Sequence, residues 1–428
     1  MINADKTQKT ATGVDNLGIY IHVPFCVRKC NYCDFLSFPC KEEVRDRYVD
    51  ALVREINNFN HKDMEVATVF FGGGTPSILS CEEIEKIMAA IKEHFCLAID
   101  AEITMECNPG TVSRNKLNRI RELGINRLSI GLQSCSDSEL RLLGRIHSYA
   151  DFLDCYRMAR EAGFDNINID IMSALPGQSV ESYLDTLTKV VSLEPEHVSA
   201  YSLIIEENTP FYSIYGDDIS VGSDDSAGSV KGVCRSVADR CPKEGPKAND
   251  YPNLPDEEDE RRMYYLTEEI LGENGYHRYE ISNYARDGYE CRHNTTYWTG
   301  GEYAGFGLGA SSYINNVRYR NEDDIDEYIC DICEKGVCKH IEEIGLTEID
   351  NIEEFMITGL RLMRGISKSE FLSCFGNGIE YYYGDVIKEL TGEGLIEEDG
   401  DRLKLTKYGI DVSNYVLSFF LFDKDYIK

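Results

Sequence analysis

The sequence predicts an α/β fold in which parallel strands alternate with helices to form most of a barrel. Six short apolar runs have the length and composition of strands: GIYIHV (18–23), ATVFF (67–71), EITMEC (102–107), RLSIGL (127–132), NINIDIM (166–172) and HVSAYSLI (197–204). Amphipathic stretches typical of helices separate them, at 41–59, 82–95, 113–123, 149–162 and 180–192. This alternation indicates βα units and a parallel sheet. Periodicity alone leaves open whether the barrel closes.

Composition excludes several classes of protein. The chain has 428 residues and a formal net charge of −31, and so acidic a surface repels a polyanion, which argues against a nucleic-acid partner. The sequence contains no apolar run of the length that spans a bilayer, so we expect no stable membrane insertion. The first residues, Met1 to Asn16, are polar and lack the apolar core of a secretory signal, and we therefore expect a cytoplasmic protein.

The chain length predicts one large domain and one smaller domain. We expect a barrel domain with its extension at 1–310, interrupted by a Gly-, Ser-, Pro- and acid-rich insertion at about 216–256, and a C-terminal α+β domain at 311–428. Near the end of the chain, 386–410 predicts a helix, a turn and a hairpin around Asp399-Gly400. This order is similar to a winged helix, and its acidity favours packing or interaction over DNA binding.

The strongest chemical motif is a cysteine triplet, Cys26-x3-Cys30-x2-Cys33, directly after the first predicted strand. Three thiolates in one short loop can converge on iron, and three protein ligands leave one iron of a [4Fe-4S] cubane open to a reactive ligand. The alternative is a structural zinc site with His22 or Cys40 as its fourth ligand. Zinc sites more often pair two separated C-x2-C halves, which favours the cluster.

Further candidate residues follow the later strands. The turn Gly72-Gly73-Gly74-Thr75-Pro76 allows close approach of a ligand to the backbone, and we expect exposed N–H groups there. Polar side chains at the ends of the strands or just beyond them face the mouth of a barrel. They are Glu106, Gln133, Arg145 and Asp170. Asp170 lies within an apolar strand, and a carboxylate there is costly to bury without a partner.

Taken together, these motifs resemble the radical SAM (S-adenosylmethionine) superfamily, in particular its branch of oxygen-independent coproporphyrinogen III oxidase-like proteins. The resemblance runs from Leu17 to about Tyr313 and is weaker towards the end of the chain. It implies a partial TIM-like barrel, with a [4Fe-4S] cluster on Cys26, Cys30 and Cys33 and SAM beside it. The residues implied to bind SAM are Tyr20, Gly73, Gly74, Thr75, Glu106, Gln133, Arg145 and Asp170.

Two features distinguish members of that branch. The oxidases carry a further cysteine two positions after the third, whereas this chain has Asp34-Phe35. The segment His293–Trp298, HNTTYW, matches an HNxxYW signature of the heme chaperones in the branch. The resemblance therefore implies a protein that binds heme and transfers it to an acceptor protein, with His293 as the iron ligand; Cys291 is a weaker candidate for attachment.

Other interpretations remain open. The chain could be an oxygen-independent enzyme that converts coproporphyrinogen III with a SAM-derived radical, or a zinc-stabilised interaction module. The spacing Cys330-x2-Cys333-x4-Cys338, with His340 nearby, could bind metal or be incidental. We expect heme or a porphyrin and an acceptor protein as partners, and a homodimer is a further hypothesis.

Overall fold

The computed structural model describes residues 16–59, 64–219 and 251–422. Most of the predicted insertion, 220–250, lies outside these residues, as do Cys234 and Cys241. Within the described part of the chain, no helix is both long enough and apolar enough to cross a membrane.

Six parallel strands form the barrel wall in their order along the chain. They are β1 Asn16–Val23, β2 Glu65–Gly73, β3 Cys96–Cys107, β4 Arg127–Gln133, β5 Ile167–Ser173 and β6 His197–Ser202. The helices that follow them are α1 Glu42–Asn58, α2 Cys81–His94, α3 Arg114–Glu122, α4 Asp137–Leu142, α5 Tyr149–Glu161, α6 Val180–Ser192 and α7 Tyr212–Ile219. The predicted alternation of strands and helices is confirmed.

Serine side chains start most of the barrel helices. Ser80, Ser113, Ser136, Ser148 and Ser179 each accept a hydrogen bond from the backbone N–H three residues later, at the first turns of α2 to α6. Each bond satisfies one of the N–H groups that a helix leaves unpaired at its start. These caps fix where the βα loops end, and those loops surround the mouth of the barrel.

The sheet continues beyond the barrel on both sides. In the described residues β1 and β6 do not pair: β9 lies beside β1 and β8 lies beside β6, so the barrel is partial. The added strands are β7 His277–Arg278, β8 Asn283–Ala285, β9 Tyr303–Phe306, β10 Ser311–Ile314, β11 Val317–Asn321 and β12 His340–Gly345. Helices α8 Glu257–Glu273, α9 Arg292–Trp298 and α10 Ile325–Lys335 accompany them.

A second hydrophobic core lies near the C-terminus and runs from Ile352 to Phe420. Its helices are α11 Glu348–Gly359, α12 Lys368–Phe375, α13 Ile379–Gly392, α14 Lys407–Asp411 and α15 Ser413–Ser418, and its three-stranded sheet contains β13 Ile366–Ser367, β14 Ile396–Asp399 and β15 Arg402–Leu405. The predicted helix, turn and hairpin are confirmed. Residues up to Ile332 pack into the barrel core, so the expected boundary at 310/311 falls within the extended sheet.

The two faces of each barrel strand differ in chemistry. In β5 the side chains of Ile167, Ile169 and Ile171 are buried in the core beneath the helices, while the alternating Asn168 and Asp170 line the barrel interior. Burial of the apolar face stabilises the sheet, because successive side chains of a strand point to opposite sides. The interior face is left free to carry polar side chains.

Candidate functional site

A cleft of about 1140 Å³, including its open mouth, occupies the interior of the partial barrel. Concave clefts that bring together a few polar groups are the usual places where small molecules and cofactors bind. It is lined by the cysteine triplet and by residues at or just beyond the ends of several strands, among them Gly73, Gly74, Thr75, Glu106, Gln133, Arg145 and Asp170. The structure thus brings together most of the site residues predicted from sequence.

The cysteine triplet lies in the loop between β1 and α1. Cys26, Cys30 and Cys33 all line the cleft. The loop is held in place at its start by a hydrogen bond of 3.1 Å from the Cys26 N–H to the Phe38 carbonyl oxygen. Burial raises the pKa of Cys33 to about 11, and the nearby thiols of Cys30 and Cys26 raise it as well. All three cysteines therefore border the same cleft.

One ligand suggested for a zinc ion, His22, is engaged by other groups. Among residues 16–59, 64–219 and 251–422, no three His, Cys, Asp or Glu side chains are placed to hold one metal ion. A cubane binds each thiolate through a different iron, so its cysteines need not converge on one point. His22, the suggested fourth zinc ligand, has its Nε2 2.9 Å from the Leu36 carbonyl oxygen and its Nδ1 3.1 Å from the Tyr20 hydroxyl. Both of its nitrogens are engaged.

A chain of hydrogen bonds links two of the cysteines through the ends of other strands. The Thr75 hydroxyl donates to the Cys26 sulfur over 3.5 Å and accepts from the Asn108 amide over 2.8 Å. Arg145 donates to the Asn108 side-chain oxygen at 2.5 Å and to the Cys30 sulfur at 3.7 Å. Hydrogen bonds donated to sulfur stabilise thiolate ligands and tune the potential of an iron–sulfur cluster. The hydrogen bonds from Thr75 and Arg145 would therefore stabilise thiolates at Cys26 and Cys30.

The glycine turn after β2 packs against the cysteine loop. The N–H groups of Gly74 and Thr75 donate to the carbonyl oxygens of Val23 and Phe25, at 2.8 and 2.7 Å. A Cβ atom at Gly74 would lie 2.7 Å from the Phe25 carbonyl oxygen, so only glycine allows this approach. The expectation that these N–H groups are exposed is wrong, because they donate hydrogen bonds to the carbonyl oxygens of Val23 and Phe25.

Two carboxylates, Glu106 and Asp170, lie at the centre of the cleft. Burial raises the pKa of Glu106 to about 8, and the charge of Asp170 also raises it, while the Gly73 N–H lowers it. Burial likewise raises the pKa of Asp170, and hydrogen bonds from Asn168 and Ser129, at 2.6 and 3.2 Å, oppose that rise. The partner that the sequence required for a carboxylate in β5 is this polar cluster.

Gln133 and Tyr20 are the two other residues predicted to contact SAM. Gln133 ends β4 with a φ of 72°, a left-handed conformation that is uncommon outside glycine and is typical of functional sites. Its side-chain oxygen accepts from the Tyr201 hydroxyl over 3.3 Å. Tyr20 lies beside the cleft, with its ring centroid 6.3 Å from that of Phe70.

His293 lies inside the barrel, near the amino ends of the strands. The ring is 1% exposed and stacks on Phe70, with a centroid separation of 5.2 Å. Its Nδ1 is 2.8 Å from the Thr68 hydroxyl and its Nε2 is 2.7 Å from the Tyr297 hydroxyl. Burial lowers the pKa of His293 to about 3, and the charge of Arg127 lowers it as well. In this arrangement neither ring nitrogen is free to bind iron.

Helix α9, which carries the HNTTYW segment, closes the lower end of the barrel. The Glu102 carboxylate on β3 accepts hydrogen bonds from the backbone N–H groups of Arg292 and His293, at 3.2 and 3.1 Å, and so caps the helix. Asn294 lines the cleft from below, and at the far end of the helix the Trp298 ring packs under the Arg361 guanidinium. The segment therefore connects the cleft to the C-terminal helices.

The remaining cysteine candidates lie apart from the cleft lining. Cys291 is buried with its sulfur 3.6 Å from a Glu102 carboxylate oxygen. Cys330 and Cys333 are exposed, and Cys338 is only partly buried. Together with His340 they form no metal-binding group of three within the described ranges.

Sequence reasoning missed several residues of the cleft, of which three matter most for the chemistry. Asn108, Arg127 and Asn294 all line it. Asn108 directly follows β3, and that position at a strand end was the signal that could have identified it. Arg127 starts β4, and Asn294 directly follows His293 in α9.

Family models match the two parts of the chain that the fold separates. The model of the Radical SAM superfamily matches residues 20–190, which run from β1 into α6. The model of the HemN C-terminal domain matches residues 346–412, within the second core. Coproporphyrinogen III oxidase (HemN) from Escherichia coli has the same fold, with a TM-score of 0.76 over 95% of this chain and 90% of that one, at 23% identity.

Several relatives align with this chain over nearly its full length. The heme chaperone HemW of Bacillus subtilis is 36% identical over 94% of this chain and 98% of its own length. HemW of Lactococcus lactis is 33% identical over 94% and 97%, and HemW of Escherichia coli is 33% identical over 95% and 98%. The chain belongs to the radical SAM superfamily and, within it, to the family of the proteins named heme chaperone HemW.

Proposed function

We propose that this protein binds heme and transfers it to an acceptor protein, with a [4Fe-4S] cluster and SAM in its cleft. The observation that carries the proposal is the alignment of heme chaperones over 94–95% of the chain, which includes both hydrophobic cores. The HNTTYW segment and the absence of a cysteine two positions after Cys33 support it further. The fold shared with the oxidase HemN carries no functional argument, because folds host many functions.

The cysteine loop fits the cluster. We assign Cys26, Cys30 and Cys33 as its ligands, since all three line the cleft, and three thiolates would leave one iron of a cubane open to another ligand. When bound and reduced, such a cluster can supply an electron to SAM. The chain itself contributes the three thiolates and the donors Thr75 and Arg145 at two of them.

The polar groups of the cleft match the parts of SAM. The Arg145 guanidinium, held by hydrogen bonds to Asn108 and to the Gly131 carbonyl oxygen, suits the carboxylate of the methionine end. The Glu106 carboxylate suits its ammonium group. Asp170 and Gln133 suit the ribose hydroxyls, because a carboxylate and an amide accept hydrogen bonds from a diol.

The location of heme is a separate part of the proposal. Direct ligation by His293 requires that Nε2 leave Tyr297 or that Nδ1 leave Thr68. His293 thus stays a predicted iron ligand that would act only after one of these two hydrogen bonds breaks. In the arrangement described above, it holds the closing helix α9 in the barrel.

A heme titration tests the proposed function. Full-length protein is reconstituted anaerobically with iron, sulfide and SAM, and heme is added while the Soret band is followed. We expect stoichiometric uptake, followed by loss of heme to added apo-myoglobin as an acceptor. The absence of uptake by protein with an intact cluster and bound SAM would contradict the proposal. The oligomeric state, predicted as a homodimer, is read from sedimentation of the same samples.

The enzyme alternative needs a different assay on the same protein. Anaerobic incubation with coproporphyrinogen III, SAM and a reductant, followed by pigment analysis, would reveal conversion to protoporphyrinogen IX. We expect none, because Asp34-Phe35 replaces the further cysteine of the oxidases. Conversion over many turnovers would replace the chaperone proposal with the enzyme.

A further inference from the structure

Among the residues that the structure describes, Arg127 is one of the largest fully buried side chains, and it lines the cleft. It starts β4 and pairs in the sheet with Thr104, two residues before Glu106 on β3. The guanidinium therefore belongs to a layer below the carboxylates that we assign to SAM. No part of the proposed cluster or SAM site uses it.

One donor of the guanidinium lacks a hydrogen-bond partner, although nearby acidic groups, among them Glu102 and Asp170, act on its charge. Its side chain is 2% exposed, and its Nε is buried without a hydrogen-bond partner in the described part of the chain. The acidic groups that act on it are engaged elsewhere: Glu102 caps α9, and Asp170 accepts from Asn168 and Ser129. A buried cation is costly unless hydrogen-bonded groups surround it.

The walls beside Arg127 are polar and already ordered. His197 has Nδ1 2.6 Å from the Asn168 side-chain oxygen and Nε2 2.9 Å from the Tyr279 hydroxyl, which fixes both side chains. Ser199 and Asn294 also line this end of the cleft. A planar guanidinium with an unused donor in a rigid polar pocket has the chemistry that binds a carboxylate.

We propose that Arg127 binds a propionate carboxylate of the tetrapyrrole that enters the cleft. The inference rests on the proposed function, because heme carries two propionate groups that a buried arginine can recognise. The carboxylate completes the hydrogen bonds of the guanidinium, and the charge pair replaces water at the floor of the barrel. Arg127 thereby distinguishes acidic tetrapyrroles from neutral ones.

The experiment compares heme with heme dimethyl ester, in which both propionates are neutral, on SAM-loaded holoprotein in one detergent. We expect the wild type to bind heme about tenfold to hundredfold more tightly than the ester. Arg127→Met should weaken heme binding to the level of the ester and leave ester binding unchanged. Arg127→Lys, which keeps the charge without the planar fork, should fall between them.

Matched controls separate this role from a structural one. Arg114→Met removes an exposed arginine of α3 and should leave both affinities unchanged. Iron content and SAM affinity of each Arg127 variant report whether the cleft is intact. If Arg127 only balances Glu102 and Asp170, its loss will weaken heme and ester equally, and the inference is overturned.

The remaining outcomes are also decisive. Equal affinity of the wild type for heme and ester overturns the subsite while leaving the chaperone function in place. Uptake of neither compound by wild-type holoprotein contradicts the proposed function itself. If Arg127→Met does not fold, the wild-type ratio and the Arg127→Lys variant decide the matter.

Discussion

The Arg145 guanidinium lies between the cluster loop and the strand ends, with Nη1 3.7 Å from the Cys30 sulfur. Its other nitrogen, Nη2, donates to the Gly131 carbonyl oxygen at 2.7 Å, which aims the side chain at the cleft. The two residues are far apart in sequence, and only the fold brings them together. One cation therefore serves both the sulfur of a cluster ligand and the space assigned to the SAM carboxylate.

Arg145→Met is expected to weaken SAM binding by about tenfold to hundredfold, because a charge-assisted hydrogen bond to a carboxylate is lost. Iron content should be retained, since all three cysteines remain. Equilibrium dialysis with labelled SAM measures the affinity. Arg141→Met, on the exposed side of α4, is the control. Unchanged SAM affinity in Arg145→Met would remove this arginine from the proposed site.

Replacement of any one of Cys26, Cys30 or Cys33 by alanine is expected to abolish the iron–sulfur absorbance of reconstituted protein. A cubane bound by only two protein thiolates lacks an anchor at a second iron. Cys40→Ala should retain full iron and sulfide content, because Cys40 does not line the cleft. Zinc in place of iron, lost with Cys40, would instead support the zinc interpretation.

The affinity for SAM is expected to rise with pH and to level off above about pH 8. Burial, reinforced by the charge of Asp170, raises the pKa of Glu106 to about 8, so Glu106 is protonated below that pH and ionised above it. SAM carries an ammonium and a sulfonium group and binds the ionised form more tightly, which links binding to release of a proton.

Glu106→Gln provides the control for this pH profile. The variant should bind SAM weakly at pH 8.5 and show a flatter dependence, and any slope that remains reports the amino group of SAM itself. Glu161→Gln, a carboxylate outside the cleft lining, should reproduce the wild-type profile. A wild-type affinity that falls as the pH rises would contradict the assignment of Glu106.

His293→Ala is expected to lower the free energy of unfolding by about 2–4 kcal/mol, since a buried ring is removed and two hydroxyl groups lose their partner. Urea titration measures the change. His277→Ala should cost less than about 1 kcal/mol, because the partly exposed His277 pairs only with surface carboxylates. Unchanged stability with abolished heme uptake would favour direct iron ligation by His293.

Tyr297→Phe separates the two roles of His293 in another way. The variant frees Nε2 of the histidine while keeping the packing of α9. If the histidine binds iron, uptake of heme should become tighter, because one hydrogen bond no longer competes. If it only holds the helix, heme affinity should stay unchanged while stability falls by about 1 kcal/mol.

The local pattern of the chain was sufficient to predict the barrel. The pattern of apolar residues predicted the six barrel strands and most of the helices between them. Each element buries one face, and that face appears in the sequence as a local spacing of apolar residues. The short strands β7 and β8 were not predicted. Their few residues carry no periodic signal; β8 forms by long-range pairing with β6, and β7 pairs in turn with β8.

The sequence by itself determined the cysteine triplet, the glycine turn and the polar residues at the strand ends, since each is a local motif. Only the tertiary structure decided that the N–H groups of the turn are occupied, that His293 has no free nitrogen, and that one donor of Arg127 lacks a hydrogen-bond partner in the described part of the chain. The physical reason is that hydrogen bonding and burial depend on residues far away in the chain. A sequence motif indicates which chemistry is possible, whereas tertiary packing determines which atoms are available for that chemistry.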